Sequence, residues 1–253
     1  MAKLANFWYI DQMINSPKLS VVILCYKSGE NIIPYVQKME EELRSNEFED
    51  YELVLVGNYL ANTNDPTPRI IQNLASKNPK IIPVTKEKKG MLGWDVISGF
   101  EAANGDAIAL IDGDGQMPSL DVVRLYRVLM SGEFDLIKTF RAKRLDGPYR
   151  KFISSWYNLL FRILFPSAHF RDVNSKPKII TREAYDRMHL DCSDWFIDGA
   201  IMLEAIRLDL NIAEVPTIFY ENEWRGSFVG IKTIFEFIGN LISYRIKYWF
   251  KSH

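Results

Sequence analysis

Short apolar runs alternate with amphipathic segments along the first half of the chain. The runs at 19–26, 51–56 and 107–111 are almost wholly apolar, as expected for strands buried on both faces of a sheet. Between the first two runs and after the second, residues 32–44 and 69–77 have the spacing of apolar positions that is typical of half-buried helices. This alternation predicts a mostly parallel sheet with right-handed crossovers.

The same alternation continues beyond the first half of the chain. It predicts a strand at 80–85, a helix that ends near 104, a helix at 120–130, a strand at 134–140 and an apolar helix at 153–165. We therefore expect one α/β domain at 19–228, an N-terminal extension at 1–18 and a C-terminal amphipathic helix at 229–253.

The most informative stretch lies where the run at 107–111 ends. Asp112 and Asp114 follow it, separated by one glycine, and Gln116 comes two residues later. Open α/β sheets bind their ligands at the carboxyl ends of central strands. Two carboxylates and an amide oxygen at alternating positions suit one hard divalent cation, whereas Asp-x-Asp alone is equally typical of an ordinary turn.

Composition and motif content exclude several function classes. The 253 residues carry a formal net charge of −1, so no nucleic acid partner is indicated. No G-x-G-x-x-G follows the first strand and no Walker lysine signature occurs, which weakens the dinucleotide and P-loop interpretations. Cys25 and Cys192 lack zinc-site spacing, and so few cysteines are typical of a reduced, intracellular compartment. We find no secretory signal and no bilayer-spanning stretch.

A series of further motifs follows a definite order along the chain. The motifs occupy 21–26 with 30–32, 105–106 before 112–118, 141–150, 172–175, 195–198, 214–216 and 225–227. In this order and spacing the chain resembles the family 2 glycosyltransferases with the GT-A fold. Within them it is most similar to the polyprenyl-phosphate branch, which includes dolichol-phosphate mannose synthase and bacterial undecaprenyl-phosphate sugar transferases. The resemblance implies a Rossmann-like central sheet flanked by helices and a nucleoside diphosphate sugar as donor.

The resemblance also implies a divalent metal ion at the acidic stretch. Asp114 and Gln116 match the metal ligands of the polyprenyl-phosphate branch. Asp112 either joins them, reaches the metal through water or faces the ribose of the donor. Mg²⁺ or Mn²⁺ bound here would act as a Lewis acid on the departing diphosphate, whose negative charge grows as the glycosidic bond forms.

The donor nucleoside is expected over the ends of the first two strands, at Cys25, Tyr26, Glu30 and Asn58. Relatives usually carry an Asp-Asp pair where Gly57 and Asn58 stand, so that carboxylate pair is not present here. The base, uracil or guanine, therefore stays open. For Tyr26 and Glu30, loop packing and a solvated helix start are equally good interpretations.

The basic segment at 141–150 resembles the part of the family that meets the donor diphosphate and the acceptor phosphate. Guanidinium groups bind phosphate oxygens bidentately, which makes Arg141 and Arg150 the strongest catalytic candidates, with Arg144 on the donor side. Lys143 and Lys151 are better interpreted as a solvated face. The resemblance adds four acceptor-side residues, Asp172, Asn174, Arg225 and Ser227. Just after Asp172 and Asn174, residues 176–178 replace a Gly-Phe type continuation that is common in relatives.

Asp198 matches the position of the catalytic base in many inverting relatives. A hydroxyl acceptor must lose its proton as it attacks, whereas a lipid phosphate is already an anionic nucleophile. Asp198 is therefore expected to act as a base for a hydroxyl acceptor, and to orient groups or bind the sugar for a phosphate acceptor. The alternative is a structural carboxylate at a helix N-terminus.

The segments 153–165 and 229–253 combine an apolar, aromatic face with flanking Lys and Arg. This pattern predicts membrane contact in the plane of the interface, and hence a cytoplasmic protein held peripherally on the inner face of the membrane. The alternative is that these faces pack within the protein or form a homo-oligomer.

Together these features predict a metal-dependent inverting glycosyltransferase that moves a sugar from a UDP- or GDP-linked donor to polyprenyl phosphate. The first alternative is transfer to a hydroxyl of a lipid-linked saccharide in surface polysaccharide synthesis. The second is a nucleotide-sugar-binding protein that has lost catalysis, which the altered site at Gly57 and Asn58 motivates.

Overall fold

In the computed structural model, which describes residues 18–222 and 238–246, seven strands of the described chain form one sheet. The strands are β1 (Leu19–Leu24), β2 (Tyr51–Val56), β3 (Ile81–Val84), β4 (Ala107–Asp112), β5 (Leu136–Arg144), β6 (Lys178–Thr181) and β7 (Ile212–Phe219). Their order is β3-β2-β1-β4-β6-β5-β7, and β6 is antiparallel to both of its neighbours while the other pairs are parallel. Strands β2 and β3 are added on one side of β1 and β4 on the other, and such folds open a ligand crevice at the point where the strand order reverses in this way.

Helices cover both faces of the sheet. They are α1 (Ile32–Ser45), α2 (Thr67–Ala75), α3 (Leu92–Ala102), α4 (Leu120–Leu129), α5 (Pro148–Leu164), α6 (Arg182–Asp186), α7 (Ile197–Arg207) and α8 at 238–246. A single 3-10 turn at Gly29–Asn31 precedes α1. The predicted α/β class with a mostly parallel sheet flanked by helices is confirmed.

Alternate residues of the central strands belong to two separate cores. Val22 of β1 shares one core with Phe100 of α3 and with residues of α7, whereas Val21 shares the other with Met39 of α1 and with residues of α4. All six residues of β1 are buried, as the uninterrupted apolar run predicts. Each fully buried aliphatic side chain contributes about 1.5–3 kcal/mol, so the two cores hold the strand ends in fixed positions.

Two elements extend further than the hydrophobic pattern predicts. β5 continues to Arg144 because its basic end pairs with β7, with a register shift between Arg141 and Lys143. α5 begins at Pro148 rather than at 153, directly after Gly147, whose φ of +93° turns the chain into the helix. Both differences bring the basic segment into regular structure at the carboxyl edge of the sheet.

Parts of the sequence predictions lie outside the described residues. These are 1–17 of the extension, Arg225, Ser227 and much of the predicted C-terminal helix. Residues 238–246 of that helix are described, and they bury Leu241 while Ile242 and Ile246 are exposed. Within the described part of the chain, no helix has the length and apolar character needed to cross a membrane.

Candidate active site

The carboxyl end of β4 brings the acidic stretch to the middle of the sheet edge. The Gly113 N–H donates to the Leu24 carbonyl at 2.9 Å, which ties the start of the turn to β1. A Cβ at Gly113 would lie 2.7 Å from Cδ1 of Ile32, so a larger residue would collide with the start of α1. The glycine between Asp112 and Asp114 is therefore a requirement of close packing as well as of the turn.

Gln116 is held in one orientation beside Asp114. Its backbone N–H donates to Asp114 Oδ1 at 3.1 Å, and its side-chain Nε2 donates to the Tyr220 carbonyl at 2.9 Å. The Gln116 residue is 5% exposed. Because Nε2 is committed to Tyr220, Oε1 is the side-chain atom left to bind a cation.

The oxygen donors at this point fit a hard divalent cation. No three His, Cys, Asp or Glu side chains within 18–222 and 238–246 group closely enough to hold a metal ion, so Gln116 must complete any such set. Beside the two aspartates, the buried Tyr35 hydroxyl has no hydrogen-bond partner in the described structure. Burial, and then Asp114 and Asp112, raises the pKa of Tyr35 well above its usual value. A buried hydroxyl that has no partner and that interacts with two carboxylates is consistent with a cation site.

Asp198 lies in the first turn of α7, and each of its two carboxylate oxygens forms an ion pair with a different lysine. Lys176 Nζ lies 3.0 Å from Oδ2, and Lys178 Nζ donates to Oδ1. Lys176 Nζ also lies 3.5 Å from Oδ2 of Asp112. One ammonium group therefore connects the candidate base with the candidate metal end of the site.

This pairing sets the protonation of the cluster. Burial alone would raise the pKa of Asp198, but Lys176 and Lys178 outweigh it and hold that pKa below its usual range. Burial would lower the pKa of Lys176, but Asp112 and Asp198 raise it above its usual value. Burial lowers the pKa of Lys178 to about 8. At neutral pH Asp198 is an anion whose two oxygens already face ammonium groups.

Three arginines of the basic segment surround the ring of Phe219 at the end of β7. The guanidinium carbons of Arg141, Arg144 and Arg150 lie 5.2, 5.2 and 5.7 Å from the ring centroid. Asp146 receives two bonds from Arg144, at 3.0 and 2.6 Å, and lies 3.3 Å from Arg150 Nε. The cluster keeps an excess of positive charge, as a phosphate site requires.

Asp172 positions Arg141. Arg141 donates from Nε and a terminal nitrogen to the two oxygens of Asp172, at 2.6 and 2.7 Å, and it also donates to Ser154 Oγ at 3.1 Å. Burial opposes this charge, but Arg141 outweighs it and holds the pKa of Asp172 well below its usual range. Asn174 is half-buried and hydrogen-bonds the Tyr157 side chain. The structure thus couples Asp172 and Asn174, the two predicted acceptor-side residues that it describes, to β5 and α5.

At the donor end, the predicted residues follow two adjacent strands, β1 and β2. Cys25 is buried, Tyr26 is half-buried and Glu30 is exposed in the 3-10 turn. Asn58 is fully buried, and its Nδ2 donates to Asp95 Oδ1 at 2.9 Å. Its Oδ1 accepts from the Lys86 N–H at 2.7 Å, so both ends of the amide are engaged within the protein.

Two residues without a sequence assignment complete this end of the site. Lys88 forms a buried ion pair with Asp95, and its Nζ lies 4.3 Å from the centroid of the Tyr26 ring. Asp95 thereby brings a carboxylate against Asn58. A charged residue in the first turn of α3, between Trp94 and Val96, was the available signal for Asp95.

A cavity of about 900 Å³ joins the three arginines, Lys176 and Asp198 to an apolar wall. At one end its lining is polar and charged, with Arg141, Arg144, Arg150, Asn174, Lys176 and Asp198. Along the other side it is formed by α5 and α8, with Phe152, Trp156, Leu159, Ile163 and Ile238. The cavity can therefore take a ligand with an anionic end and a long apolar part.

Comparison with known proteins gives the following similarities. The model of the family "Glycosyl transferase family 2" matches residues 20–191. The chain is 29% identical over 238 residues to a dolichol-phosphate mannosyltransferase of Pyrococcus furiosus, covering 92% of this chain and 64% of the relative. It is 29% identical over 205 residues to glycosyltransferase AglD of Haloferax volcanii, covering 79% of this chain and 32% of the relative. The chain thus spans less than two thirds of the length of either relative.

A solved structure shares the fold. Glucosyl-3-phosphoglycerate synthase from Mycobacterium tuberculosis, in complex with Mn²⁺, UDP-glucose and phosphoglyceric acid, superposes with a TM-score of 0.65 at 20% identity. The match covers 89% of this chain and 77% of that one. The expected GT-A architecture is confirmed.

Proposed function

We propose, since this chain belongs to glycosyl transferase family 2, that it transfers a sugar from a nucleoside diphosphate donor to the phosphate of a polyprenyl phosphate. The feature that carries this proposal is the cavity of about 900 Å³, which places three arginines and Lys176 at one end of an apolar wall. A polyprenyl phosphate has the matching chemistry, an anionic head on a long hydrocarbon chain. The mannosyltransferase relative is named for a lipid phosphate of this kind.

The donor diphosphate is assigned to the end of β4. Asp112, Asp114 and Gln116 would hold Mg²⁺ or Mn²⁺, as their oxygen donors and the neighbouring Tyr35 hydroxyl support. When bound, the ion supplies positive charge to the departing diphosphate. The Mn²⁺ and UDP-glucose held by the synthase of the same fold support this assignment.

The state of Asp198 favours a phosphate acceptor over a hydroxyl. A general base works best with a pKa near the working pH and with access to the proton that it removes. Lys176 and Lys178 occupy both oxygens of Asp198 and hold its pKa low, so its basicity is weak. A phosphate oxygen needs no base because it is already anionic. Asp198 then keeps Lys176 and Lys178 in place, and Lys176 faces the cavity.

The arginine cluster is the proposed seat of the acceptor phosphate. Arg150 is half-buried, and with Arg144 it shares a single carboxylate, Asp146, so positive charge remains for a ligand. From there an attacking phosphate oxygen would approach the anomeric carbon opposite the diphosphate. A single displacement of this kind inverts the anomeric configuration, and it needs no protein nucleophile.

Exposed apolar side chains beside the cavity support peripheral membrane contact. Phe152, Trp156 and Ile163 on α5 are 62%, 57% and 63% exposed, and Ile242 and Ile246 on α8 are 48% and 49% exposed. These five side chains are called the apolar face below. The two helices meet at the cavity, since Ile163 and Ile238 both line it. The acceptor would enter from the lipid through this opening.

Replacement of Asp198 by Asn tests the proposal. With a UDP- or GDP-sugar, Mn²⁺ and detergent-dispersed polyprenyl phosphate, we expect Asp198→Asn to retain transfer within about tenfold of the parent chain, because general-base catalysis would be worth roughly 10²–10⁴-fold. Asp114→Asn is the matched charge-removing control, and it should lose transfer by about a hundredfold or more. Both variants are assayed below their own melting temperatures, since Asp198 also pairs buried lysines.

Two outcomes contradict the proposal. One is a loss of more than a hundredfold in Asp198→Asn while the protein stays folded, particularly if the parent chain prefers a lipid-linked saccharide hydroxyl. The other is the absence of transfer and of donor hydrolysis with every donor and acceptor, which would favour a nucleotide-sugar-binding protein.

A further inference from the structure

The cavity of about 900 Å³ is called the active cavity below. A second, smaller cavity of about 290 Å³ lies on the opposite flank of α5 from it. Lys151 and Ser155 of α5 line it, whereas Ile153, Tyr157 and Leu160 of the same helix line the active cavity. The remaining wall of the small cavity comes from β5 and from the loop that carries Arg171 and Asp172. Arg141, Arg144 and Ser154 line both cavities, so the two are adjacent.

The small cavity concentrates positive charge that the catalytic site does not use. Lys143, Lys151 and Arg171 line it, all three are exposed, and none forms an ion pair with any residue of the described structure. The guanidinium of Arg171 lies 4.5 Å from the centroid of the Phe140 ring, which orients it. The acidic group in the lining, Asp172, is committed to Arg141. Such a site attracts an anion.

The position of the cavity relates this charge to the apolar face. Lys151 and Ser155 form a stripe of α5 directly beside the stripe of Phe152 and Trp156, because successive residues of a helix are about 100° apart. Cations that flank an apolar stripe are the arrangement by which interfacial helices bind anionic membranes. A ligand in the small cavity would thus lie at headgroup level when the apolar face enters the lipid.

We propose that the small cavity binds the phosphate-bearing headgroup of an anionic membrane lipid, with the acyl chains continuing along the apolar face. Its volume equals that of about ten water molecules at roughly 30 Å³ each, which suits a phosphate with its glycerol carbons rather than a whole nucleotide sugar. The inference rests on the proposed function, because it assumes that the active cavity opens towards the same membrane. Headgroup binding would orient the protein so that a lipid-borne acceptor reaches the arginine cluster.

Vesicle flotation tests the inference. The full chain is floated with vesicles of neutral phosphatidylcholine and with vesicles that also contain about one fifth phosphatidylglycerol. We expect binding to the anionic vesicles, and the triple variant K143Q/K151Q/R171Q should lose most of it, by about fivefold for each cation removed. The matched control K38Q/R69Q/K77Q removes the same charge from exposed positions on α1, α2 and the turn that follows α2, and it should bind nearly as well as the parent chain.

Further arms separate the outcomes. Equal binding of the two triple variants, or no preference of the parent chain for anionic vesicles, overturns the inference. Displacement from vesicles by millimolar glycerol 3-phosphate or inorganic phosphate would identify a site for a soluble phosphate ester and also overturn it. Transfer to detergent-dispersed polyprenyl phosphate is measured on the same proteins. If the parent chain shows no transfer, the proposed function is contradicted. If the parent chain transfers the sugar normally and the triple variant K143Q/K151Q/R171Q floats as well as the parent chain, only the headgroup site is contradicted.

Discussion

The side chain of Lys176 connects the lining of the active cavity with the acidic stretch at the end of β4, two parts of the site that lie far apart in the sequence. Its ammonium group lies between Asp112 at the end of β4 and Asp198 at the start of α7. Because the two carboxylates share one buried cation, the position of the candidate metal site is tied to that of Asp198 in the cavity.

The ion pair of Asp172 and Arg141 yields a prediction for stability against pH. Both side chains are largely buried, and the pKa of Asp172 is held well below the roughly 3.9 expected when unfolded. A carboxyl whose folded pKa is depressed stabilises the fold above the unfolded pKa, and that contribution is lost as the pH falls through the folded value. Asp172→Asn should therefore cost about 3–5 kcal/mol in the free energy of unfolding at pH 7, because it leaves Arg141 buried without a carboxylate.

The check is urea denaturation of both proteins between pH 7 and pH 2. The difference in the free energy of unfolding between the parent chain and Asp172→Asn should decrease as the pH falls below about 4. Asp186→Asn is the control, since Asp186 lies 3.8 Å from Arg182 and its side chain is 59% exposed. Its effect should stay below about 1 kcal/mol. A gap for Asp172→Asn that is independent of pH would show that the lost stability is packing rather than charge.

For individual residues, the sequence pattern predicts which polar and charged side chains lie at the ends of strands, but it does not predict the groups with which they pair. The placement of Asp112, Asp114 and Gln116 followed from an apolar run that ends in a glycine-rich turn. Asn58 also lies at a strand end, yet its amide binds Asp95, a residue 37 positions away that only the packing of α3 brings close. Lys178 is the first residue of β6, where the hydrophobic pattern predicts no strand. A lysine can be buried there because it pairs with Asp198, which the local sequence does not reveal. Pairs of buried charges that are distant in the sequence leave no periodic pattern of apolar and polar residues from which they could be predicted.

Among the elements, α5 separates the two cavities, and its start depends on one glycine. Gly147 has φ +93° and ψ +157°, a region that residues with a side chain rarely adopt. A Cβ there would meet no atom within 4 Å, so the cost of substitution is backbone strain rather than collision. Gly147→Ala should lower the free energy of unfolding by about 1–3 kcal/mol. It should also reduce transfer, since Asp146 and Arg150 flank the turn.

Gly239→Ala in α8 is the matched control for this substitution. A Cβ there also meets no atom within 4 Å, and no left-handed φ applies. Since alanine is the better helix former by about 1 kcal/mol, this change should be neutral or stabilising. Thermal unfolding of the two variants distinguishes strain at Gly147 from a general effect of losing glycine, because equal effects would rule the strain out.

The elements that the hydrophobic pattern missed share a physical cause. β6 has four residues and two polar ones, so neither length nor periodicity distinguishes it from a loop. It is nevertheless held on both sides by antiparallel pairing with β4 and β5. The central strands β1, β2 and β4 were predictable because both of their faces are buried, which leaves a continuous apolar run.

For the whole molecule, the sheet order brings separate motifs to one edge. β1, β2 and β4 end beside one another, so the donor end and the acidic stretch are neighbours although about fifty residues separate Asn58 from Asp112. β6 then places Lys176 and Lys178 beside β4, and β5 with β7 adds the arginine cluster. A ligand that spans the crevice would bridge both halves of the sheet, and it should stabilise the molecule as a unit.

Donor binding should therefore raise the melting temperature in a metal-dependent way. A ligand at a hundred times its Kd stabilises the native state by about 2.7 kcal/mol, and a chain of this size gains about 2–4 °C per kcal/mol. We expect UDP- or GDP-sugar with Mn²⁺ to raise the melting temperature by roughly 5–10 °C, and the donor without metal to raise it much less. The two nucleotides compared side by side identify the base. Asp114→Asn should abolish the metal-dependent part, whereas Asp50→Asn, at an exposed position before β2, should retain it. A shift that is equal with and without Mn²⁺ would place the donor away from the acidic stretch, because a diphosphate bound elsewhere gains nothing from a cation held by Asp112, Asp114 and Gln116.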